Sequence, residues 1–344
     1  MIYRPLCISI FIFLTLPSLC QSVGPPSIKK SQRSVQPIIV AVIDTGMDLE
    51  HRDLKNWIFK NSKECGLNEK GEDLSQNGID DDQNGYIDDC HGWNFADNNN
   101  DLQDVNGHGT HIAGIIIRQF LSIVSQKKNL GQRPIRLLPI RYFSGKEENT
   151  NVETTVLALK YAIQMGAEVI NYSSGGYSQS ARERSILQSA HSKGVWIVAA
   201  AGNHGMNIDL QGFYPAAYGY TNIISVGALD ANHQLIPESN YGKHRVDVAA
   251  PGLEIVSTLP NDQYGTMSGT SQATAFVTGS IATHASRKSL SLPKPSLQSA
   301  RQMLAILGQR NYQLFGKTAF SIEIKDNAAR MTTSQDHYSI KENN

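Results

Sequence analysis

The sequence predicts a doubly wound α/β fold: a mostly parallel sheet with helices on both faces. Two patterns carry that expectation, short continuously apolar β-branched runs and helix-period segments that alternate with them along the chain. Unbroken rather than alternating apolarity marks strands covered on both sides. Such folds place reacting groups just beyond the carboxyl ends of their strands, which sets where chemistry is to be sought.

The first run, residues 37–43 (PIIVAVI), is a strand, and comparable runs recur at 135–140, 168–172, 195–201, 223–226 and 246–249. Between them lie three helical patterns. Residues 108–120 are the first; 152–165 carries Val156, Leu157, Ala158, Tyr161, Ala162 and Met165 on one face; 181–192 is the third. Residues 61–106, rich in Asn, Asp and Gly, interrupt this rhythm as an insertion after the first strand. A structureless loop longer than about 15 residues is functional or disordered. Towards the end, 293–307 reads as an amphipathic helix and 319–324 as one edge strand. One large domain over 37–310 is therefore expected, with a C-terminal extension over 311–344 that is partly disordered.

The N-terminal segment has a different character. Arg4 precedes an apolar run at 6–16, and Pro17-Ser18-Leu19-Cys20 follows. That is the three-part layout of a secretory signal peptide over residues 1–20, leaving a short leader over 21–36. The run is short of the about 20 residues a membrane span needs, and no later stretch resembles one. A lipid anchor on Cys20 is the competing reading, against which the bulky Leu19 argues. The mature chain is expected to be secreted or periplasmic, with Cys65 and Cys90 either bridged or present as two thiols. Lys+Arg and Asp+Glu both number 31, so no net charge draws the chain to nucleic acid or an acidic membrane.

Three stretches carry reactive side chains. Asp44 follows the first apolar run and precedes Thr45-Gly46, at the carboxyl end of a strand; alone it reads more readily as a capping or turn aspartate. His108 lies in Asn106-Gly107-His108-Gly109-Thr110-His111, where an apolar helix face begins, and a helix start disfavours the charged imidazole. The adjacent His111 reads as a packed structural residue. Ser271 lies in Ser268-Gly269-Thr270-Ser271-Gln272-Ala273, so its hydroxyl is expected at a helix N-terminus, where free N–H groups favour developing negative charge. Ser268 is the alternative nucleophile.

Together these stretches resemble the three signatures of the subtilisin-like serine proteases (the subtilase, or peptidase S8, family), in the order Asp, His, Ser. The likeness continues through 169–176 (VINYSSGG), 198–205, Tyr214-Pro215-Ala216, Ile224-Ser225-Val226-Gly227-Ala228 and 239–252, so it covers about residues 36–310. It implies a subtilisin-like fold and an endopeptidase that hydrolyses polypeptides through an acyl-enzyme, as a monomer. His108 would act as base for Ser271, and Asp44 would orient the imidazole. Asn203 would donate to the oxyanion beside the Ser271 N–H. Ser173, Ser174 and Gly175 would form one wall of the pocket for the residue before the scissile bond, and Ala200, Ala201 and Gly202 the other. Small residues on both walls predict a roomy slot for large apolar side chains.

Three features depart from the family pattern. Gln272, Ala275 and Phe276 stand where Met and a Pro-His pair are usual, and Gln272 brings an amide that needs a partner. Residues 21–36 are too few for the usual prodomain, so folding without one is expected. The run from Asn77 to Asp89 offers oxygen ligands at alternate positions, as calcium loops do. Structural calcium held by Asp80, Asp82, Asn84, Tyr86 and Asp88 is expected, although His91 stands where an EF-hand has its bidentate glutamate. Two other classes remain: a catalytically impaired binding protein on the same fold, and a metallohydrolase built from Asp44, His108 and His111. The last lacks the Glu of a His-Glu-x-x-His helix.

Overall fold

The computed structural model describes residues 36–125, 133–143, 152–286, 292–320 and 322–325. The proposed signal peptide, Cys20 and all but the last residue of the leader lie outside them.

The centre is β1 (Ile38–Asp44), flanked in parallel by β3 (Ile135–Arg141) and β4 (Val169–Tyr172). Beyond β4 follow β5 (Trp196–Ala200), β6 (Ile223–Leu229) and β7 (Val248–Pro251), and beyond β3 the two-residue β2 (Trp93–Asn94). The C-terminal strands β10 (Gln309–Arg310) and β11 (Ile322–Glu323) complete a nine-stranded sheet, in which only the β10–β11 pair is antiparallel. The segment assigned above to an extension thus contributes β11, which lies between β7 and the edge strand β10. The order of strands reverses at β1, whose carboxyl end carries Asp44, the position where doubly wound folds open a crevice.

Strand side chains alternate between two cores. Val40, Val42, Leu137, Val169, Val198 and Val226 face α1 (His108–Ser125) and α4 (Thr270–Ser286), joined by Met303 and Leu304 of α5 (Leu297–Leu307). Ala41, Ile43, Leu138, Ile170, Ile197 and Ala199 face α2 (Val152–Gln164) and α3 (Ala181–Ser192). Burial on both faces is why the strands read as unbroken apolar runs. Every residue of α4 is buried, the pattern of a helix packed on all sides.

Helix boundaries shift where local chemistry intervenes. The helix expected from 293 begins only at Leu297, because Pro295 disfavours helical backbone before it and Ser296 caps the end through a reciprocal pair with Ser299. The hairpin β8 (Ile255–Leu259) and β9 (Gln263–Met267) was not expected. Its outer strand is largely exposed and polar, so it carries no apolar run to betray it. The insertion is held by the Cys65–Cys90 disulfide, Cα atoms 4.9 Å apart, and by Tyr86, whose ring packs on Trp93, Phe95 and Tyr161.

Candidate active site

Three carboxyl ends of the central sheet meet at the site. Asp44 closes β1, Ser173 follows β4, and Ala200 closes β5. Asp44 is buried and its Oδ1 accepts from the Thr45 N–H (2.8 Å) and binds His108 Nδ1 (2.7 Å). An ionised carboxylate only accepts, so Nδ1 carries the proton and Nε2 presents its lone pair. Gly109 makes this approach feasible: a Cβ there would stand 2.0 Å from the Gly46 carbonyl oxygen and 3.2 Å from Asp44 Cβ.

Desolvation alone would lower the His108 pKa, but the charge and hydrogen bond of Asp44, aided by the charge of Asp104, leave it raised above 6.5. Asp104 was not singled out in the sequence. Its buried carboxylate accepts from the Thr45 hydroxyl and the N–H groups of Asn106 and Gly107 on one oxygen, and from the Thr110 N–H and hydroxyl on the other. It therefore satisfies the free donors at the start of α1 and sets where His108 begins. The visible signal was an acidic residue four positions before the helix.

Ser271 is the second residue of α4, and its Oγ donates to the Ser173 carbonyl (3.0 Å). Asn203 is hydrogen-bonded to the residue before it, Thr270. Its Oδ1 accepts from the Thr270 N–H (2.8 Å) and hydroxyl (2.9 Å); a backbone donor fixes which amide atom faces it, so Nδ2 is turned outward as a donor. Ser268 Oγ instead accepts from the Glu254 N–H (2.8 Å). Gln272 Nε2 is buried with no hydrogen-bond partner among the described residues. Ala275 and Phe276 lie in the core, and Arg118 stacks over the Phe276 ring at 5.5 Å.

His111 is remote in role: its Nε2 lies 2.9 Å from the Ile255 carbonyl and 3.2 Å from that of Gly265, clipping the β8–β9 hairpin to α1. Burial lowers its pKa to about 4. The metal triad of Asp44, His108 and His111 is not supported by this arrangement, in which His111 Nε2 must donate to carbonyls.

The walls Ser173–Gly175 and Ala200–Gly202 stand on adjacent parallel strands, with Tyr172 paired to Ala199. A Cβ added to Gly175 or to Gly202 would meet the Phe213 ring.

In the insertion, Asp80, Asp82 and Asn84 form a tight turn in which the Asn84 N–H donates to both aspartates at 3.0 Å. Asp88 faces the Gly78 N–H (3.1 Å) and Tyr86 contributes a packed ring. The carboxylates gathered within 4.8 Å of one another are Glu64, Asp82 and Asp89, so of the expected ligands only Asp82 belongs to the cluster. Glu64 and Asp89 each precede a bridged cysteine, and the disulfide draws them together; the pairing of the cysteines was the missing signal. Glu64 Oε2 is buried without a partner among the described residues. Burial raises the pKa of Glu64 and of Asp89, and the neighbouring carboxylates add to both shifts. An orphaned oxygen among like charges fits a hard cation, and the cluster could bind a metal.

The subtilase family model matches residues 36–307. The chain belongs to the subtilase family. It is 36% identical over 249 residues to a thermophilic serine proteinase of Bacillus sp. (strain AK1), covering 72% of this chain and 52% of that one. It is 32% identical over 255 residues to the major intracellular serine protease of Bacillus subtilis (strain 168), covering 71% of this chain and 67% of the relative. This subtilase thus spans about half the length of the first of these relatives. In fold it is similar to a cold-adapted subtilisin-like serine proteinase, with TM-score 0.62, 24% identity, and 85% and 89% of the two chains covered.

Proposed function

We propose that this subtilase is a serine endopeptidase in which Ser271 is the nucleophile, His108 the general base and Asp44 its orienting carboxylate. The observation that carries the reading is the 2.7 Å Asp44–His108 bond, at the switch point of the sheet and beside the helix whose start bears Ser271. Ser271 Oγ leaves the Ser173 carbonyl for His108 Nε2 and attacks the scissile carbonyl as its proton passes to the imidazole. Asn203 Nδ2 and the N–H groups at the start of α4 receive the oxyanion. His108 then protonates the leaving amine, and water releases the acyl group by the same route. A fluorophosphonate is expected to label Ser271 in the folded protein, and Ser271→Ala to abolish both label and peptide cleavage. Retained cleavage in that variant would exclude the assignment. The impaired binding protein is disfavoured because Asp44, His108 and Ser271 are all present in the sequence.

The cation we assign to the insertion is calcium, held by Glu64, Asp82 and Asp89 in a structural role, since carboxylate oxygens are its usual ligands. Chelator is expected to lower the unfolding temperature and calcium to restore it; an unchanged temperature overturns the assignment. Secretion or periplasmic residence is supported by the residue 1–20 pattern and by the disulfide, while one relative's name specifies an intracellular enzyme. No helix among the described residues is long and apolar enough to cross a membrane. Fractionation of the host cell, with mass spectrometry of the mature N-terminus, tests both the cleavage and a lipid on Cys20.

A further inference from the structure

We propose that Phe213 closes the pocket for the residue before the scissile bond, so that this subtilase cleaves after small side chains such as Ala and Ser. This rests on the endopeptidase reading above.

The ring spans the gap between the two walls. A Cβ placed on Gly175 would lie 2.5 Å from Phe213 Cε1 and 2.9 Å from Cζ. A Cβ placed on Gly202, on the opposite wall, would lie 3.1 and 3.2 Å from Cδ1 and Cδ2. The far end of the ring thus lies where a side chain on one wall would stand, and its near end where one on the other would. Both walls have glycine where the ring arrives, and no larger residue there would leave room for it.

The ring is also held in place. Phe213 is 7% exposed, so it is packed inward and not swung into solvent. The next residue is tied to the first wall, with the Tyr214 N–H donating to the Gly176 carbonyl (2.7 Å) and the Gly176 N–H to the Tyr214 carbonyl (2.9 Å). The Phe213 carbonyl accepts from the Ala217 N–H (2.8 Å). At the mouth, the Tyr177 ring meets Phe213 edge-on with centroids 5.4 Å apart, and His204 stands 5.3 Å from Tyr177. Aromatic contacts of this geometry favour one ring placement. A substrate phenyl or isobutyl group would have to displace a side chain fixed on several sides. A methyl or hydroxymethyl group would rest against its edge.

Peptides differing only in Ala, Leu or Phe before the scissile bond test this with the full chain. The wild type is expected to show kcat/KM at least about 10-fold higher for Ala than for Phe, the scale on which pocket shape discriminates apolar groups. Phe213→Ala is expected to shift the Phe/Ala ratio at least about 10-fold towards Phe. Phe213→Leu, which keeps most of the packing, is expected to shift the Leu/Ala ratio in the same direction and serves if the alanine variant does not fold. Equal or better cleavage after Phe by the wild type overturns the inference, as do unchanged ratios in a folded variant that still labels at Ser271. No labelling and no cleavage of any peptide would instead overturn the endopeptidase reading, and this one with it.

Discussion

Each residue of the site is held by a partner that decides what it can do. Asp44 fixes the tautomer of His108, Thr270 fixes the amide of Asn203, and Asp104 fixes the start of the helix that bears the base. The raised His108 pKa gives the proposed base a definite expectation: the imidazole must be neutral, so kcat/KM is expected to fall as pH drops through a value above 6.5. Asp104→Asn removes one of the charges that raise it. The acid limb is then expected to move to lower pH, with about 1–3 kcal/mol of stability lost because the new NH2 faces existing donors. A pH profile of kcat/KM and a urea titration measure the two effects. Asp44→Asn is expected to reduce kcat by about 10⁴ with little change in fold, by releasing the imidazole tautomer; a loss below about 10-fold in kcat would count against its role.

Among the elements, the decisive pair is α1 and α4. One begins with His108 and the other with Thr270-Ser271, so their crossing sets the distance from His108 to Ser271. That crossing is close because Gly279 faces α1: a Cβ there would lie 2.7 Å from the Ile116 carbonyl oxygen and 2.9 Å from Gln119 Cβ. Gly279→Ala is expected to cost about 1–3 kcal/mol through overpacking and to lower kcat more than it raises KM, since it parts the helices without touching the substrate walls. Thermal unfolding and steady-state kinetics together check it. The hairpin braces the same helix from outside, with Ser257 Oγ donating to the His111 carbonyl (2.8 Å) and Thr258 Oγ1 to that of Thr110 (2.7 Å).

Over the whole molecule, acid should weaken the fold through His111. Its folded pKa is about 4 against 6.5, so the unfolded chain binds the extra proton between those values. Its stabilising contribution is present above pH 6.5 and is lost as pH falls towards 4, by up to about 3 kcal/mol. Urea unfolding at pH 7 and pH 4.5 is expected to show this slope, reduced in His111→Gln. The disulfide is a second global constraint: closing a 25-residue separation is worth about 3 kcal/mol against the unfolded chain. Cys65→Ala with Cys90→Ala is expected to lower stability on that scale and to weaken calcium binding, because Glu64 and Asp89 are no longer drawn together. Isothermal titration with calcium reads the second effect.

The sequence by itself determined the alternation of strands and helices, because burial on both sheet faces demands unbroken apolar runs that no surface segment would keep. It also determined the candidate triad, whose three residues each sit at the end or start of an element that local pattern locates, and it pointed to Asn203 through the stretch that surrounds it. Tertiary structure decided what depends on distant parts meeting. Asp104 matters because Thr45 from the end of the first strand joins Asn106, Gly107 and Thr110 on its carboxylate, and Glu64 and Asp89 matter because a disulfide joins loops 25 positions apart. The pocket shows the limit most plainly. Its proposed walls are legible as small residues, yet the ring proposed to close it comes from a third segment. Only the packed chain brings the Phe213 ring to where a Cβ on Gly175 or Gly202 would stand, since volume between strands is a property of what folds into it.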